Sequence, residues 1–339
     1  MDQMSRGKER RGRFPAPFKV VLGLLLLGLL AGLALLWQYG PRFGVYLRPP
    51  APAAYADTAL SLMDNGYYAT GEQWQRARAE AVAATRKAPD YASTFPALRK
   101  ALAVAGGPHS KLLEEGQSLS ERMGPPRTPT VETSDGVTTV AVPAVAADDA
   151  QVLQTYADML AQGLVNAEAA TGCGWVVDLR GNTGGNMEPM LAGLSPLLGS
   201  GRVGGFVDNR GNVTELALQD GAVYLGGRST FGTQHSQPLK GPVAVLQDGR
   251  TASSGEVALL AFYGRGDTRT FGAPSAGLSS ANQVRRLYGG TEMLLTVALD
   301  TDAAGKVYGG VLEPQQPTDP GAAPEAARAW LAEQCRRSP

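Results

Sequence analysis

Two apolar segments, each running into a glycine- or serine-rich turn, constrain the fold of this chain most. The first, GWVVDLRGNTGGN, spans residues 174–186, and the second, GPVAVLQDGRTASSGE, spans residues 241–256. Each apolar run is short and uninterrupted, as in a strand buried on both faces. Each turn is followed by apolar residues at helical spacing. A strand that feeds a helix, twice, predicts an α/β core.

The second turn, TASSGE at 251–256, carries the residue types best suited to catalysis. Ser253 stands where the predicted helix begins, and a helix N-terminus presents unpaired N–H groups and the positive end of a dipole. A serine hydroxyl that attacks a carbonyl there has donors nearby for the oxyanion. An ordinary helix cap is the alternative, because Glu256 follows Ser253 at the spacing of a capping box.

The first turn places Asp178 and Arg180 beside Gly181, Gly184 and Gly185. Glycine permits positive φ and lets a substrate lie against backbone N–H groups. The turn lacks the Lys-Ser/Thr of a phosphate loop and the spacing of a dinucleotide fingerprint. The remaining alternative is a tight turn without a ligand.

The rest of the chain is predicted to form a helical region followed by strands, loops and further helices. Apolar residues at helical spacing over 58–111 predict a small helical subdomain. Two β-rich runs around Ser134-Asp135-Gly136 predict a hairpin, and a helix with an acidic cap follows them. Residues 200–240 predict short strands and loops, and the end of the chain predicts an amphipathic helix.

The N-terminus has the pattern of a membrane anchor. Residues 20–37 are 18 consecutive uncharged residues, a length that suits a bilayer. Residues 1–19 hold six basic and two acidic residues, a net of +4, which predicts a cytoplasmic tail with the remainder outside. The proline-rich residues 38–56 predict an extended stalk. A cleaved signal peptide is the alternative, but the AxA site at 54–56 lies well beyond the apolar run.

Composition argues against nucleic-acid binding and a zinc site, and it leaves open whether the two cysteines form a disulfide. With 31 basic and 31 acidic residues, the chain has no net field that attracts nucleic acid. Cys173 and Cys335, the only cysteines, either form one disulfide outside the cytoplasm or stay unpaired. Two cysteines and two scattered histidines have no zinc-site spacing, so we expect no metal and no cofactor.

Together the two turns resemble those of peptidase family S41, the tail-specific or C-terminal-processing serine proteases. FGAPSAGL at 271–278 and YGGVLEPQQPTD at 308–319 resemble further segments of that family. The resemblance implies a ClpP/crotonase-like α/β core over residues 116–339, with a C-terminal helix. It also implies an N-terminal helical cap over residues 57–115.

The resemblance also implies roles for individual residues. Ser253 matches the nucleophile, and the backbone N–H of Ser254 is expected to bind the oxyanion together with the turn at Gly184-Gly185. The other matched positions are expected to support the two turns: Asp178, Arg180, Asn182 and Glu256.

The sequence departs from the common family pattern at the general base. Many members use a lysine where this chain has Leu278, and a leucine cannot accept a proton. The segment GGPHS instead resembles a lysine-free branch that includes the membrane-anchored nisin resistance proteins, and it matches His109 to the base of a Ser–His dyad. An unperturbed imidazole has a pKa of about 6.5, which suits proton uptake near neutral pH. His235 is the fallback base, and Glu313 is a weak candidate for orienting the histidine.

The sequence therefore predicts a membrane-anchored, extracytoplasmic serine endopeptidase. Only 27 positions separate His109 from Gly136, too few for the PDZ domain that many relatives carry. We therefore expect substrates to be short or unstructured peptides, with antimicrobial peptides as one class that the resemblance suggests. The alternative is a non-catalytic member that binds a peptide or a lipophilic ligand in the same groove.

Overall fold

A computed structural model describes residues 16–114 and 124–337. Its helices are α1 (Ala16–Tyr39), α2 (Pro52–Met63), α3 (Gly71–Thr85), α4 (Phe95–Gly106), α5 (Ala150–Ala167), α6 (Met187–Leu198), α7 (Ser254–Leu260) and α8 (Ala323–Arg337). Its strands are β1 (Lys111–Leu113), β2 (Thr130–Ser134), β3 (Val137–Ala141), β4 (Gly174–Asp178), β5 (Gly201–Asp208), β6 (Val213–Gln219), β7 (Ala222–Leu225), β8 (Arg228–Gly232), β9 (Val243–Gln247), β10 (Thr268–Gly272), β11 (Ser280–Arg286), β12 (Glu292–Thr301) and β13 (Gln316–Pro317).

A six-stranded sheet with the order β13-β10-β9-β4-β3-β2 positions both turns. Strands β13 to β3 are mutually parallel, and β2 is antiparallel to β3. All of β9 and most of β4 are buried, which explains their uninterrupted apolar sequences. Because β4 and β9 are parallel neighbours, the turns at their carboxyl ends lie at the same edge of the sheet.

Local sequence signals predicted the elements around this sheet correctly. Asp135 and Gly136 form the turn between β2 and β3 with φ of 53° and 73°, as a two-residue hairpin requires. The carboxylate of Asp149 accepts a hydrogen bond of 2.8 Å from the N–H of Gln151 and caps α5. The predicted hairpin and the acidic helix cap are therefore confirmed.

The second sheet is antiparallel and has the order β1-β12-β5-β6-β7-β8, with β11 paired to β12. Strands β5 to β8 confirm the short strands predicted for residues 200–240. The strand β12 links two parts of the molecule, because it pairs with β1 from the helical region and with β5 from the core.

The helical region and the β11–β12 hairpin share one hydrophobic cluster. Leu60 and Leu98 from the helices are buried with Met293 and Leu295 from β12. A larger cluster joins the parallel sheet to α5, α6 and α7, and α8 covers the opposite face of that sheet with Trp330. The cap is thus packed onto the antiparallel sheet, whereas the serine turn follows β9 of the parallel sheet.

The N-terminal region differs in part from the sequence-based picture. Helix α2 begins at Pro52, inside the segment predicted as an extended stalk, and a short 3-10 turn occupies Gly40–Phe43. No helix in the part of the chain that the structure describes is long and apolar enough to cross a membrane. The predicted anchor, residues 20–37, includes residues whose side chains lie outside the description, and the predicted tail at 1–19 lies largely outside it. The anchor stays a prediction.

A disulfide between Cys173 and Cys335 ties α8 to the residue just before β4. The bond closes a loop of 162 residues that includes both turns. This answers the question that the cysteine count left open. A cross-link across so long a loop removes conformational freedom from the unfolded chain.

We predict that Cys335→Ser lowers the free energy of unfolding by about 2–5 kcal/mol. The double variant Cys173→Ser/Cys335→Ser should match the single variant, because the loss comes from the bond and not from either thiol. Denaturant unfolding by circular dichroism, with and without reductant, measures the effect. A wild type that keeps its stability under full reduction would contradict this prediction.

Candidate active site

Ser253 occupies a strained position immediately before α7. Its backbone has φ 53° and ψ −121°, a region that residues other than glycine rarely adopt. Its carbonyl accepts hydrogen bonds from the N–H groups of Glu256 and Val257. Such strain persists only where surrounding contacts hold it, and it is often found at functional sites.

The carboxylate of Glu256 supplies those contacts. The side chain is completely buried, and its Oε2 accepts from the N–H groups of Ser253 at 2.8 Å and Leu278 at 2.9 Å. Its Oε1 accepts from Ser275 Oγ at 2.5 Å and from the N–H of Gly277 at 3.0 Å. Burial raises the pKa of Glu256, and these four hydrogen bonds oppose that rise. The residue joins the serine turn to the segment that precedes β11.

Asn182 joins the glycine turn to the serine turn. It is fully buried, its amide donates to Val142 O at 2.9 Å, and its own carbonyl accepts from the N–H of Ala252 at 2.9 Å. Gly184 lies so close to the serine that a Cβ added there would be 2.8 Å from Ser253 Cβ. The turn needs glycine at this position for close approach as well as for its φ of 99°.

One of the N–H groups predicted for the oxyanion site already has a partner in the structure. The N–H of Gly184 donates to Asn182 Oδ1 at 2.9 Å, so it is already engaged. Within the predicted pair, the N–H of Gly185 is therefore the remaining candidate for this role. Ser254 Oγ donates to Gly185 O at 2.6 Å, which fixes this glycine beside the first turn of α7.

Asp178 and Arg180 hold the glycine turn from the other side. Their side chains form a two-pronged ion pair, with Nη2–Oδ2 of 2.6 Å and Nε–Oδ1 of 2.9 Å. Arg180 also donates to Pro320 O at 2.8 Å. Sequence reasoning missed Asp248, whose carboxylate accepts from the N–H groups of Gly181 and Arg250. The Asp-Gly pair after β9 was the available signal, since such pairs mark side-chain-stabilised turns.

His109 reaches the same cleft from the loop between α4 and β1. A cleft of about 980 Å³ is lined by both His109 and Ser253, together with Gly185, Ser254 and Leu278. The described lining includes neither His235 nor Glu313, so the structure does not bring the fallback base or the proposed orienter to the serine. The cap and the core thus face each other across one opening.

Ser280 is a second residue that sequence reasoning missed. Its Oγ lies 2.9 Å from Nδ1 of His109, and Asn282 Nδ2 donates to the His109 carbonyl at 3.1 Å. Both partners come from β11, which contacts the imidazole through Ser280 and the backbone of His109 through Asn282. Their separation of about 170 positions from His109 in sequence gave no local signal.

The surroundings of His109 lower its pKa to about 4, chiefly through burial and secondly through the positive charge of Lys111. The contact with Ser280 acts in the opposite direction. The imidazole is therefore neutral, and able to accept a proton, over a wider acidic range than the value of about 6.5 assumed from sequence.

Comparison with known proteins identifies the family of this chain. The sequence pattern of peptidase family S41 matches residues 137–312, which include both turns. The chain belongs to peptidase family S41. The nisin-resistance protein of Lactococcus lactis subsp. lactis is 36% identical over 293 residues, which cover 86% of this chain and 90% of that protein.

Solved structures show the same fold. A lipoprotein from Streptococcus agalactiae superposes with a TM-score of 0.76 at 25% identity, covering 85% of this chain and 99% of that one. The photosystem II D1 C-terminal processing protease superposes with a TM-score of 0.55 at 16% identity, covering 85% and 97%. The predicted S41-type α/β fold and the resemblance to nisin resistance proteins are confirmed.

We predict that Gly184→Ala is more damaging than Gly181→Ala. Both glycines have positive φ, so alanine costs about 1–2 kcal/mol of backbone strain at either position. Only at Gly184 does the added methyl also collide with the serine turn, because nothing lies within 4 Å of a Cβ at Gly181. Thermal unfolding of both variants measures the difference, and equal losses would contradict the close approach of the two turns.

Proposed function

We propose that this S41 member is a membrane-anchored serine endopeptidase that cleaves unstructured peptides with a Ser253–His109 dyad. The observation that supports the proposal most is that a strained serine at a helix N-terminus and a histidine with a lowered pKa line the same cleft. Ser253 Oγ attacks the scissile carbonyl, and His109 takes the hydroxyl proton and returns it to the leaving amine. The N–H groups of Ser254 and Gly185 bind the oxyanion.

The contact with Ser280 supports His109 as the base. When Nδ1 donates to Ser280, the lone pair of the neutral ring is on Nε2, the nitrogen left for the serine proton. The described contacts include no hydrogen bond between His109 and Ser253. Catalytic hydrogen bonds are often long before substrate binds, so we propose that substrate binding brings the cap histidine closer to the core.

The proposed substrates follow from the cleft and from one relative. The cleft between cap and core, with a volume of about 980 Å³, is large enough for a short extended segment of a peptide. It is too small for a folded domain. The relative from Lactococcus lactis is named for resistance to nisin. We therefore propose antimicrobial peptides near the membrane as the substrate class.

Two features support a membrane-anchored, extracytoplasmic location. Leucines along α1 are largely exposed, with Leu24, Leu25 and Leu27 at 65%, 66% and 64%, an arrangement that suits contact with lipid. The disulfide between Cys173 and Cys335 suits an oxidising compartment. We propose that the apolar segment 20–37, part of whose side chains lies outside the description, anchors the chain and that the cleft faces the outside of the cell.

The alternative is a binder that uses the cleft without hydrolysis. A ligand groove alone does not need backbone strain at Ser253 or a neutral imidazole directed by Ser280. The peptidase is therefore the better supported function.

We predict that Ser253→Ala and His109→Ala each reduce peptide hydrolysis at least about a hundredfold, because each removes one half of the proton-transfer pair. Thermal unfolding should show that both variants remain folded. A serine-reactive phosphonate should label the wild type at Ser253 and leave Ser253→Ala unlabelled. Full hydrolysis by His109→Ala would refute the assignment of the base.

We predict that kcat/KM stays constant from pH 8 to pH 5 and falls through a midpoint near pH 4. Only neutral imidazole accepts the serine proton, and the pKa of His109 is lowered to about 4. Lys111→Met should move this midpoint to higher pH, since it removes a positive charge that opposes protonation. Lys87→Met, at an exposed position outside the described cleft lining, is the matched control. A midpoint near 6.5 in the wild type would contradict the effect of burial.

A further inference from the structure

The strand β11 presents an open edge to the cleft. Among the described residues it pairs only with β12, and its seven residues, Ser280–Arg286, all line the cleft. Gln283, Val284 and Arg286 are exposed. An unpaired strand edge is a row of free N–H and C=O groups, which proteins usually cover or interrupt.

The pairing with β12 shows which backbone groups of β11 face this edge. The N–H of Leu287 donates to Thr291 O at 2.8 Å. The main-chain groups of Leu287 and Thr291 therefore point toward each other across the hairpin. Along an antiparallel ladder, successive residue pairs alternate between facing their partner and facing away. The groups of Asn282, Val284 and Arg286 therefore point away from β12.

The far side of β12 confirms this alternation. Thr296 lies opposite Asn282 in the register. The N–H and C=O of Thr296 bond to Ser110 Oγ and to the N–H of Tyr67, on the side of β12 away from β11. Thr296 and Asn282 thus form a pair that does not bond to each other, and the main-chain groups of Asn282 are directed toward the open edge.

We infer that β11 is the strand on which the substrate binds: an unstructured peptide pairs with its open edge and extends the sheet by one strand. The inference rests on the proposed function, since it assigns the substrate of that same cleft. Ser280 at one end of β11 contacts His109, so the scissile bond lies near this end. Gly44 lies beside the carbonyl of Arg286, so the open part of the edge is Ser280–Arg285. This stretch spans about 17 Å, which sets the length of the paired segment at about five peptide residues.

A peptide that pairs with β11 must have backbone N–H and C=O groups that are not already hydrogen-bonded. Residues inside a folded sheet or helix have their N–H and C=O groups engaged, so they cannot pair with β11 without unfolding. An extended peptide brings those groups unpaired, and main-chain hydrogen bonds to an edge strand are largely independent of its sequence. The open edge of β11 therefore favours peptides that have no secondary structure of their own.

Backbone methylation of the peptide is the direct test. The probe is a fluorescein-labelled decapeptide chosen from a mixed-sequence synthetic library for binding to full-length Ser253→Ala, with affinity measured by anisotropy. N-methylation at alternate positions should weaken binding about fivefold each, the value of one hydrogen bond, and at intervening positions clearly less. A loss without this alternation, or a library with no binder, would overturn the inference.

A change in β11 itself tests the same pairing from the protein side. Val284→Pro removes an N–H that faces the open edge and leaves the ladder to β12 intact, which proline tolerates in edge strands. It should weaken binding of the same decapeptide about fivefold more than Val284→Ala, which shortens the side chain and keeps the N–H. Equal affinities in two variants with equal thermal stability would contradict edge pairing.

Hydrolysis is a separate measurement. If methylation alternates in Ser253→Ala but the wild type does not cleave the decapeptide, the peptidase proposal fails and edge pairing stands. If the wild type cleaves the decapeptide and methylation does not alternate, the reverse holds.

Discussion

The buried carboxylate of Glu256 is the interaction on which the site depends. It accepts four hydrogen bonds, and two of them come from the N–H groups of Ser253 and Leu278. A charge or acid in such surroundings is costly unless every lone pair has a donor, so the surrounding loops are held where those donors are. One side chain thereby fixes both the strained serine and the start of the segment that leads into β11.

The second constraint is the pairing of β4 with β9. Parallel neighbours end at the same edge, and this brings together two turns that lie about 70 positions apart in sequence. Gly184 then permits contact between the turns, and Asn182 supplies hydrogen bonds to both. The glycine turn therefore forms one side of the site, and its close approach to the serine turn requires that residue 184 has no side chain. The same packing uses the N–H of Gly184 internally, which leaves Gly185 to face the cleft.

The sequence predicted most of the core because its signals are local. Strand β9 is an apolar run, Asp149 is an acidic cap, and Asp135-Gly136 is a hairpin turn, and each can be recognised within a few residues. The position of α2 was predicted less well. Its first residue, Pro52, follows two other prolines nearby, and proline suits both an extended stalk and the first turn of a helix. Composition alone does not separate those outcomes.

The sequence by itself determined the α/β core and the serine turn, and it has Leu278 where many family members have a lysine; its resemblance to the lysine-free branch led to His109 as the proposed base. The tertiary structure decided which partners those residues have. Ser280 contacts His109 across 171 positions, and Cys173 pairs with Cys335 across 162. It also decided the pKa of the histidine, because burial and a neighbouring charge exist only in the folded chain. Short-range patterns specify elements, whereas contacts between distant residues arise only when those elements pack.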